Sequence, residues 1–240
     1  MFTLKVGDFE IMRAVYPFEL PIPLEHPDLD GLLGQLRFQG TPLSVPLADD
    51  LMPLENCYWN VLHLTEKYGG EIVFGWMIKH WPGLYLSAEH HAVWHWPDSG
   101  MLDVTARMPE SPVATTFLMD ANQKIDVSVP PNIPIQYFPI SSDDRVSLLI
   151  DLSAQLSRVT QRVNDLLAID LGLCVSSQIA IAQGRVPKGL QMTSQQHQCF
   201  RELQNQSEEV RLEIGTLIES LLSRPPNKIA RAATKSYLEN

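Results

Sequence analysis

The sequence lacks the features that mark several broad classes of protein. It contains no run of lysine and arginine, and its formal net charge is -10, so that phosphate backbones and anionic lipid surfaces would be repelled. No segment approaches the ~20 apolar residues that a helix needs to cross a membrane. Residues 1–12 carry charges where a signal peptide would be apolar. We therefore expect a soluble, cytoplasmic protein that binds neither nucleic acid nor membranes.

Cysteine is also scarce. The chain has three cysteines, Cys57, Cys174 and Cys199, an odd number with wide and irregular spacing. Such spacing is a poor disulfide framework, and it lacks the close cysteine pairs of a structural zinc site. We expect reduced thiols, no structural metal and no cofactor. Cys174 and Cys199 fall within apolar patterns of helical period, and we interpret both as structural residues.

Proline breaks the first region, residues 1–50, into short apolar pieces. Strands are predicted at 2–6 and 9–15 and a short helix at 29–37, because proline excludes a long helix and favours edge strands and loops. We interpret this region as an N-terminal segment that wraps around the next one.

Residues 51–140 carry the strongest pattern of secondary structure. Apolar residues at helical spacing predict a helix from Cys57 to Tyr68, which the pair Gly69-Gly70 ends. A tight turn then joins two of the strands that follow, so that these two pair antiparallel. One helix followed by an antiparallel sheet is an α+β fold. The β-branched and aromatic content predicts strands at 71–78, 87–96, 101–107, 115–120 and 124–129.

Residues 141–240 change to a helical period. Leucine and valine recur every three or four residues along two stretches, which a glycine- and proline-containing turn at 184–189 separates. We predict two antiparallel helices, 145–169 and 194–223, packed on each other as a helical hairpin with a tail after it. The same apolar stripes would suit a homodimer, and this alternative stays open.

Three residues of the second region form a candidate catalytic set. Cys57 is predicted to open a helix, whose N-terminal amide groups favour a thiolate. A thiolate needs a base to hold its proton, and His91 on the second strand can supply one. Asp103, on the antiparallel neighbour, can accept a hydrogen bond from the other ring nitrogen of His91 and fix its tautomer. Because side chains alternate along a strand, His90 is expected to face away from Cys57.

The order of these residues resembles that of the transglutaminase-like and papain-like cysteine enzymes. Transglutaminase-like enzymes have a Cys that opens a helix, a strand reading roughly His-Ala-Trp and a following strand reading Asp-x-Thr. This chain has Cys57, then His91-Ala92-Val93-Trp94, then Asp103-Val104-Thr105. The resemblance is confined to the core region, and it implies a papain- or transglutaminase-like core.

The resemblance also implies thiol-dependent acyl transfer on a peptide or carboxamide substrate. Cys57 would form a thioester, which water resolves in a peptidase or deamidase and an amine resolves in a transglutaminase-like enzyme. Papain-like enzymes place a glutamine a few residues before the Cys, where this chain has Leu51. The oxyanion would therefore be bound by the backbone N–H of Cys57 and by the side chain of Asn56 or Asn60.

Aromatic residues are dense around the candidate set. All five tryptophans fall within residues 59–96, and Trp59, Trp76 and Trp94 are the candidates to line a cleft for a protein or peptide substrate. Burial in a small core is the simpler use of each ring. The alternative function is a non-catalytic protein-interaction module that keeps the fold and binds through its aromatic face and C-terminal helices.

A metal-dependent hydrolase is a further alternative. His91 and His95 share one face of the predicted strand, and with Cys57 they would give a Cys-His-His metal set. This spacing is not one of the common zinc patterns, so the thiol mechanism is preferred.

Overall fold

The chain combines α-helices and β-strands, as the sequence predicts. The computed structural model describes residues 4–6, 9–11, 19–37, 40–54, 56–98, 100–107, 114–120, 125–167, 174–185 and 192–239. The helices are α1 (Leu29–Leu36), α2 (Cys57–Tyr68), α3 (Asp144–Asp165), α4 (Cys174–Ala182), α5 (Ser194–Ser223) and α6 (Lys228–Glu239). The strands are β1 (Leu4–Val6), β2 (Phe9–Ile11), β3 (Leu20–Pro21), β4 (Leu43–Met52), β5 (Glu71–Trp81), β6 (Tyr85–Trp96), β7 (Gly100–Thr105), β8 (Ala114–Met119) and β9 (Gln136–Pro139).

Five strands close into a barrel. They follow the order β5-β8-β4-β7-β6, and β6 pairs back onto β5. Each of these pairs is antiparallel except β4–β7, which is parallel. Outside the barrel, β3 extends the sheet from β5 and β9 extends it from β6. Among the described strands, β1 and β2 pair with each other and form a separate two-stranded sheet. Closure gives each barrel strand a neighbour on both sides.

The interior of the barrel has an apolar layer and a polar layer. Because side chains alternate between the two faces of a strand, residues two positions apart point the same way. His91 on β6, Asp103 on β7 and Thr115 on β8 each lie two positions from the member of the apolar layer on the same strand. All three residues are buried. The candidate residues therefore lie in the layer beside the barrel core. One side chain from each barrel strand forms the apolar layer: Val45, Val73, Val93, Met101 and Phe117.

Separate apolar clusters attach the helices to the barrel. Val61 of α2 packs on Ala92 of β6, and Leu32 of α1 packs in a cluster with Ile78 of β5. The helices α3 and α5 join a cluster with Tyr85 at the start of β6. The start of α2 is thereby held over β6, the strand that carries His91.

The predicted helical hairpin is confirmed. At one end of the pair, the Arg145 guanidinium near the start of α3 donates to the Ser220 carbonyl oxygen at 3.0 Å near the end of α5. At the other end, Val159 and Leu166 pack on Leu203 near the start of α5. The two helices therefore run antiparallel and in contact. The short helix α4 lies between them in the chain, and residues 186–191 of the predicted turn are outside the described residues.

Two elements of the sheet differ from the prediction. Residues 125–129 form a turn and a bend instead of a strand, because the prolines that follow directly have no N–H for a ladder. The strand that follows these prolines is β9, which pairs with β6. The segment that became β4 was interpreted as part of a wrapping region that ends at residue 50, because Pro46 disfavours a central strand. The pairing of β4 with β8 ends at Pro46, so the proline ring does not interrupt the ladder. Strand β4 continues to Met52 and so crosses the boundary predicted at residue 50.

The β4–β7 pair is a correction to the predicted antiparallel sheet. No tight turn can join two parallel strands, and here α2, β5 and β6 lie between them in the chain. Local turn signals could not reveal a pairing of this kind.

Gly75 provides a test of how tightly the barrel closes. It lies opposite His91 in the β5–β6 ladder, and a Cβ there would lie 2.3 Å from the carbonyl oxygen of Leu118. We expect Gly75→Ala to lower the free energy of unfolding by about 1–3 kcal/mol through overpacking, as measured by chemical denaturation. Gly34→Ala is the control, because nothing lies within 4 Å of a Cβ at that helical position. Equal stability of the two variants would contradict the close packing of β5 on β8.

Candidate active site

Cys57 lies at the N-terminus of α2, in the position that the sequence predicts. It is the first residue of the helix, and its thiol is free and partly exposed. Asn56 is the N-cap residue, but its side chain makes no capping hydrogen bond. The first amide groups of a helix have no acceptor within the helix. These groups and the helix dipole favour negative charge on the Cys57 sulfur.

His91 and Asp103 meet where two strands part. The ladder between β6 and β7 ends at Trp94 and Leu102, after which β7 continues beside β4 while β6 stays beside β5. Beyond this point, the Nε2 atom of His91 lies 3.0 Å from both Asp103 Oδ1 and Asp103 Oδ2. The hairpin predicted from the sequence therefore brings these two side chains together.

Cys57 contacts the other side of the His91 ring. The thiol makes a side-chain hydrogen bond with His91. Because Nε2 faces Asp103, Nδ1 is the ring nitrogen left for the sulfur. Burial opposes protonation of the ring, but the charges of Asp103 and Cys57 and the hydrogen bonds to both raise the pKa of His91 to about 10. These interactions favour the protonated form of the His91 ring.

Asp103 is fully buried, and its carboxylate accepts hydrogen bonds from several donors besides His91. Thr115 Oγ1 donates to Oδ2 at 2.5 Å, and the backbone N–H of Thr105 donates to Oδ1 at 3.1 Å. The Arg107 guanidinium also donates to Oδ2. Burial would raise the pKa of Asp103, but the charges of His91 and Arg107 and the hydrogen bonds hold it well below its ordinary value. Asp103 is therefore a carboxylate over the whole physiological range.

The sequence did not indicate the parts of Arg107 and Thr115. Arg107 donates to both Asp103 and Thr115, and so ties the end of β7 to β8. Thr115 reaches the carboxylate because the barrel closes, and no local pattern encodes that closure. Thr105 could have been found, since it stands in the Asp-x-Thr motif.

The two asparagines suggested for the oxyanion are engaged elsewhere. Asn60 Nδ2 donates to the carbonyl oxygen of Pro53 at 2.8 Å and to Thr105 Oγ1 at 3.1 Å. Asn56 Nδ2 donates to Asn60 Oδ1 at 3.0 Å and to the main-chain oxygen of Gln178 at 3.1 Å. A side-chain amide has two N–H groups, so each asparagine uses both within the protein. Neither asparagine amide is therefore left to bind an oxyanion.

The three tryptophans suggested for a substrate cleft lie in separate places. Trp59 is buried and donates to the carbonyl oxygen of Val127 at 3.1 Å. Trp94 donates to the carbonyl oxygen of Gly69 at 3.0 Å, past the far end of α2. Trp76 is buried in the cluster under α1. The rings therefore fill different parts of the core and share no single surface.

His90 contacts Tyr58, the residue that follows Cys57 in α2. It and His91 point to opposite faces of β6, as alternation requires, but His90 Nδ1 lies 2.9 Å from the hydroxyl of Tyr58, the residue after Cys57. His90 therefore points to the face of β6 opposite His91, as expected, and α2 packs on that outer face.

Neither a metal centre nor a membrane span is found in the described part of the chain. No group of three or more His, Cys, Asp and Glu side chains there is arranged to hold a metal ion. His95 is the third member of the alternative metal set, and its Nδ1 lies 4.0 Å from Glu71 Oε2. None of the described helices is long and apolar enough to cross a bilayer.

Comparisons with protein-family models, with curated proteins and with solved structures gave no match to this chain.

The raised pKa of His91 predicts how stability depends on pH. A group that binds its proton more tightly when folded stabilises the protein below its unfolded pKa of about 6.5 and loses that contribution as pH rises through its folded pKa. We expect the free energy of unfolding to fall between about pH 7 and the folded pKa of about 10, by at most about 1.4 kcal/mol per pH unit. Denaturant titrations at several pH values measure this.

Two variants identify the group responsible. The side chain of His91→Gln can still donate to Asp103 but cannot titrate. The fall in the free energy of unfolding between about pH 7 and about pH 10 should therefore disappear in this variant. His197→Gln replaces an exposed histidine of α5 and should leave the slope as it is. A slope that survives in His91→Gln would show that another group causes it.

Proposed function

We propose that this protein is a thiol-dependent acyl-transfer enzyme of the transglutaminase-like or papain-like kind, acting on a peptide or carboxamide. The observation that supports this most is the His91 ring, which hydrogen-bonds to the buried Asp103 carboxylate on one side and to the Cys57 thiol on the other. A nucleophile, a base and a group that orients the base are the parts that such chemistry needs.

In the first half of the reaction, the Cys57 thiolate attacks the carbonyl carbon of the substrate. The imidazolium of His91 stabilises the thiolate through its Nδ1–H, and Asp103 holds the ring by accepting from Nε2–H. A tetrahedral intermediate forms, with its negative charge on the former carbonyl oxygen. The backbone N–H of Cys57 at the helix N-terminus can donate to that oxygen.

In the second half, His91 transfers its Nδ1 proton to the leaving amine as the C–N bond breaks. A thioester on Cys57 and a neutral imidazole remain. Water or a second amine then attacks the thioester and gives its proton back to His91, which releases Cys57 as a thiolate. Attack by water makes the reaction a hydrolysis, and attack by an amine makes it a transfer.

The pH dependence of thiol alkylation tests this function. Iodoacetamide labelling of each cysteine is followed by peptide mass spectrometry from about pH 5 to about pH 9, a range that lies mostly below the ordinary thiol pKa of about 8.5. We expect Cys57 to react at the low end of this range, because the His91 imidazolium stabilises its thiolate. Cys199, which has no histidine partner among its described contacts, serves as the internal control.

Substitution of Asp103 checks that the effect comes through His91. Asp103→Asn keeps the shape of the side chain but removes the charge, so labelling of Cys57 at low pH should fall while circular dichroism shows a retained fold. Labelling of Cys57 that follows the pH profile of Cys199 in the wild-type protein would refute the enzyme and favour the non-catalytic interaction module.

A further inference from the structure

A cavity of about 650 Å³ lies between the end of α5 and helix α6. Three of the side chains that line it are cations, Arg224, Arg231 and Lys235, and none of the described lining residues is an acid. Sites for small molecules typically have volumes of about 300–1,000 Å³. The cavity therefore has the size of a small-molecule site and a positive lining.

The positive charge at this place contrasts with the rest of the chain. Residues 220–238 contain four lysines and arginines, at positions 224, 228, 231 and 235, and no aspartate or glutamate, although the formal net charge of the whole chain is -10. Arg231 and Lys235 are four residues apart in α6, so they lie on the same face of the helix. Cations gathered in this way repel each other, and an anion placed among them removes the repulsion.

The acceptors at the end of α5 are engaged by another arginine. The Arg145 guanidinium of α3 donates to the carbonyl oxygens of Ser220 at 3.0 Å and Arg224 at 2.9 Å. It also pairs with the carboxylate of Asp143 at 2.7 Å. The side chains of Arg224 and Arg231 form no ion pair with a described residue. Both guanidiniums are therefore available to a ligand.

Thr234 adds a buried hydroxyl group to the wall of the cavity. The residue is 6% exposed, and its hydroxyl forms no hydrogen bond with a described residue. A helical threonine commonly donates to the carbonyl oxygen four residues before it, as Thr65 and Thr216 do at 2.9 Å and 3.0 Å. Buried polar groups are nearly always paired. An unpaired hydroxyl on the wall of a positive cavity indicates an acceptor that belongs to a ligand.

A phosphate monoester fits this set of groups. It carries a charge of about −1.5 to −2 at neutral pH and three strong acceptor oxygens. A guanidinium binds phosphate through two parallel hydrogen bonds, and a hydroxyl can donate to a further oxygen. A carboxylate carries a single charge and would leave more of the positive charge unmatched. Leu222 and Pro225 also line the cavity, and they provide apolar surface for an organic group.

We propose that the cavity between α5 and α6 binds the phosphate monoester of a small organic molecule. Arg224, Arg231 and Lys235 match the charge of the phosphate, and the Thr234 hydroxyl donates to one of its oxygens. The organic part lies against Leu222 and Pro225. This inference does not depend on acyl transfer at Cys57.

Isothermal titration calorimetry on the full chain tests the site. The probes are phenyl phosphate, inorganic phosphate, which lacks the organic part, and benzoate, which carries a single charge on a similar ring. The variants are Arg224→Gln, Arg231→Gln and Thr234→Val. Arg211→Gln is the matched control, because Arg211 is an exposed arginine about three turns before the cavity in α5.

We expect phenyl phosphate to bind the wild-type protein more tightly than inorganic phosphate or benzoate does. Its dissociation constant should rise about 10- to 100-fold in Arg224→Gln and in Arg231→Gln, the size typical of a lost hydrogen bond to a charged group. The rise in Thr234→Val should be about 2- to 10-fold, as for a neutral hydrogen bond. Arg211→Gln should bind as the wild-type protein does.

Two results would overturn the inference. One is phenyl phosphate that binds no more tightly than benzoate, or not at all. The other is equal binding by the wild-type protein, Arg224→Gln and Arg231→Gln, which would show that these cations form only a solvated basic surface. Either result leaves the proposed acyl transfer as it stands, because calorimetry with these probes does not measure the reactivity of Cys57.

Discussion

A carboxylate that leaves water must find its donors within the protein, because removing one partner of a buried charge pair costs about 3–5 kcal/mol. Asp103 is wholly buried, and its donors come from four places in the fold. His91 is on β6, Thr105 is on β7, Arg107 follows β7 and Thr115 is on β8. The barrel has to close correctly for these groups to meet. The stability of the barrel and the geometry of the candidate site therefore depend on the same carboxylate.

Charge balance explains how an imidazolium can persist in a buried place. Asp103 is negative and His91 and Arg107 are positive, and the Glu89 carboxylate, which pairs with Lys79, also interacts with both of these cations. Opposite charges at short range stabilise each other strongly when water is excluded.

Local patterns predicted the parts of the site that local structure decides. The helix from Cys57 to Tyr68 and the long helix α5 have the predicted bounds, because apolar spacing and the glycine and proline signals at their ends act over a few residues. Asp103 was found because a tight turn fixes its strand against that of His91. These features needed no knowledge of the rest of the chain.

Contacts between distant segments were out of reach of such patterns. The parallel β4–β7 pair and the donor from Thr115 arise only when the barrel closes. Asn56 and Asn60 have the right chemistry for an oxyanion hole, but their amides are taken up by partners that include the distant Thr105 and α4. A polar residue near a nucleophile shows its role only when all of its hydrogen bonds are known.

The protonation state of the His91 ring tests the central claim most directly. In a ¹⁵N-labelled sample, the chemical shifts of the two ring nitrogens report whether each carries a proton. The account predicts that both His91 nitrogens are protonated at about pH 7, that the ring titrates near the raised value of about 10, and that Cys57→Ala lowers this value. A His91 ring with a single N–H at about pH 7, titrating near the ordinary value of about 6.5, would contradict it.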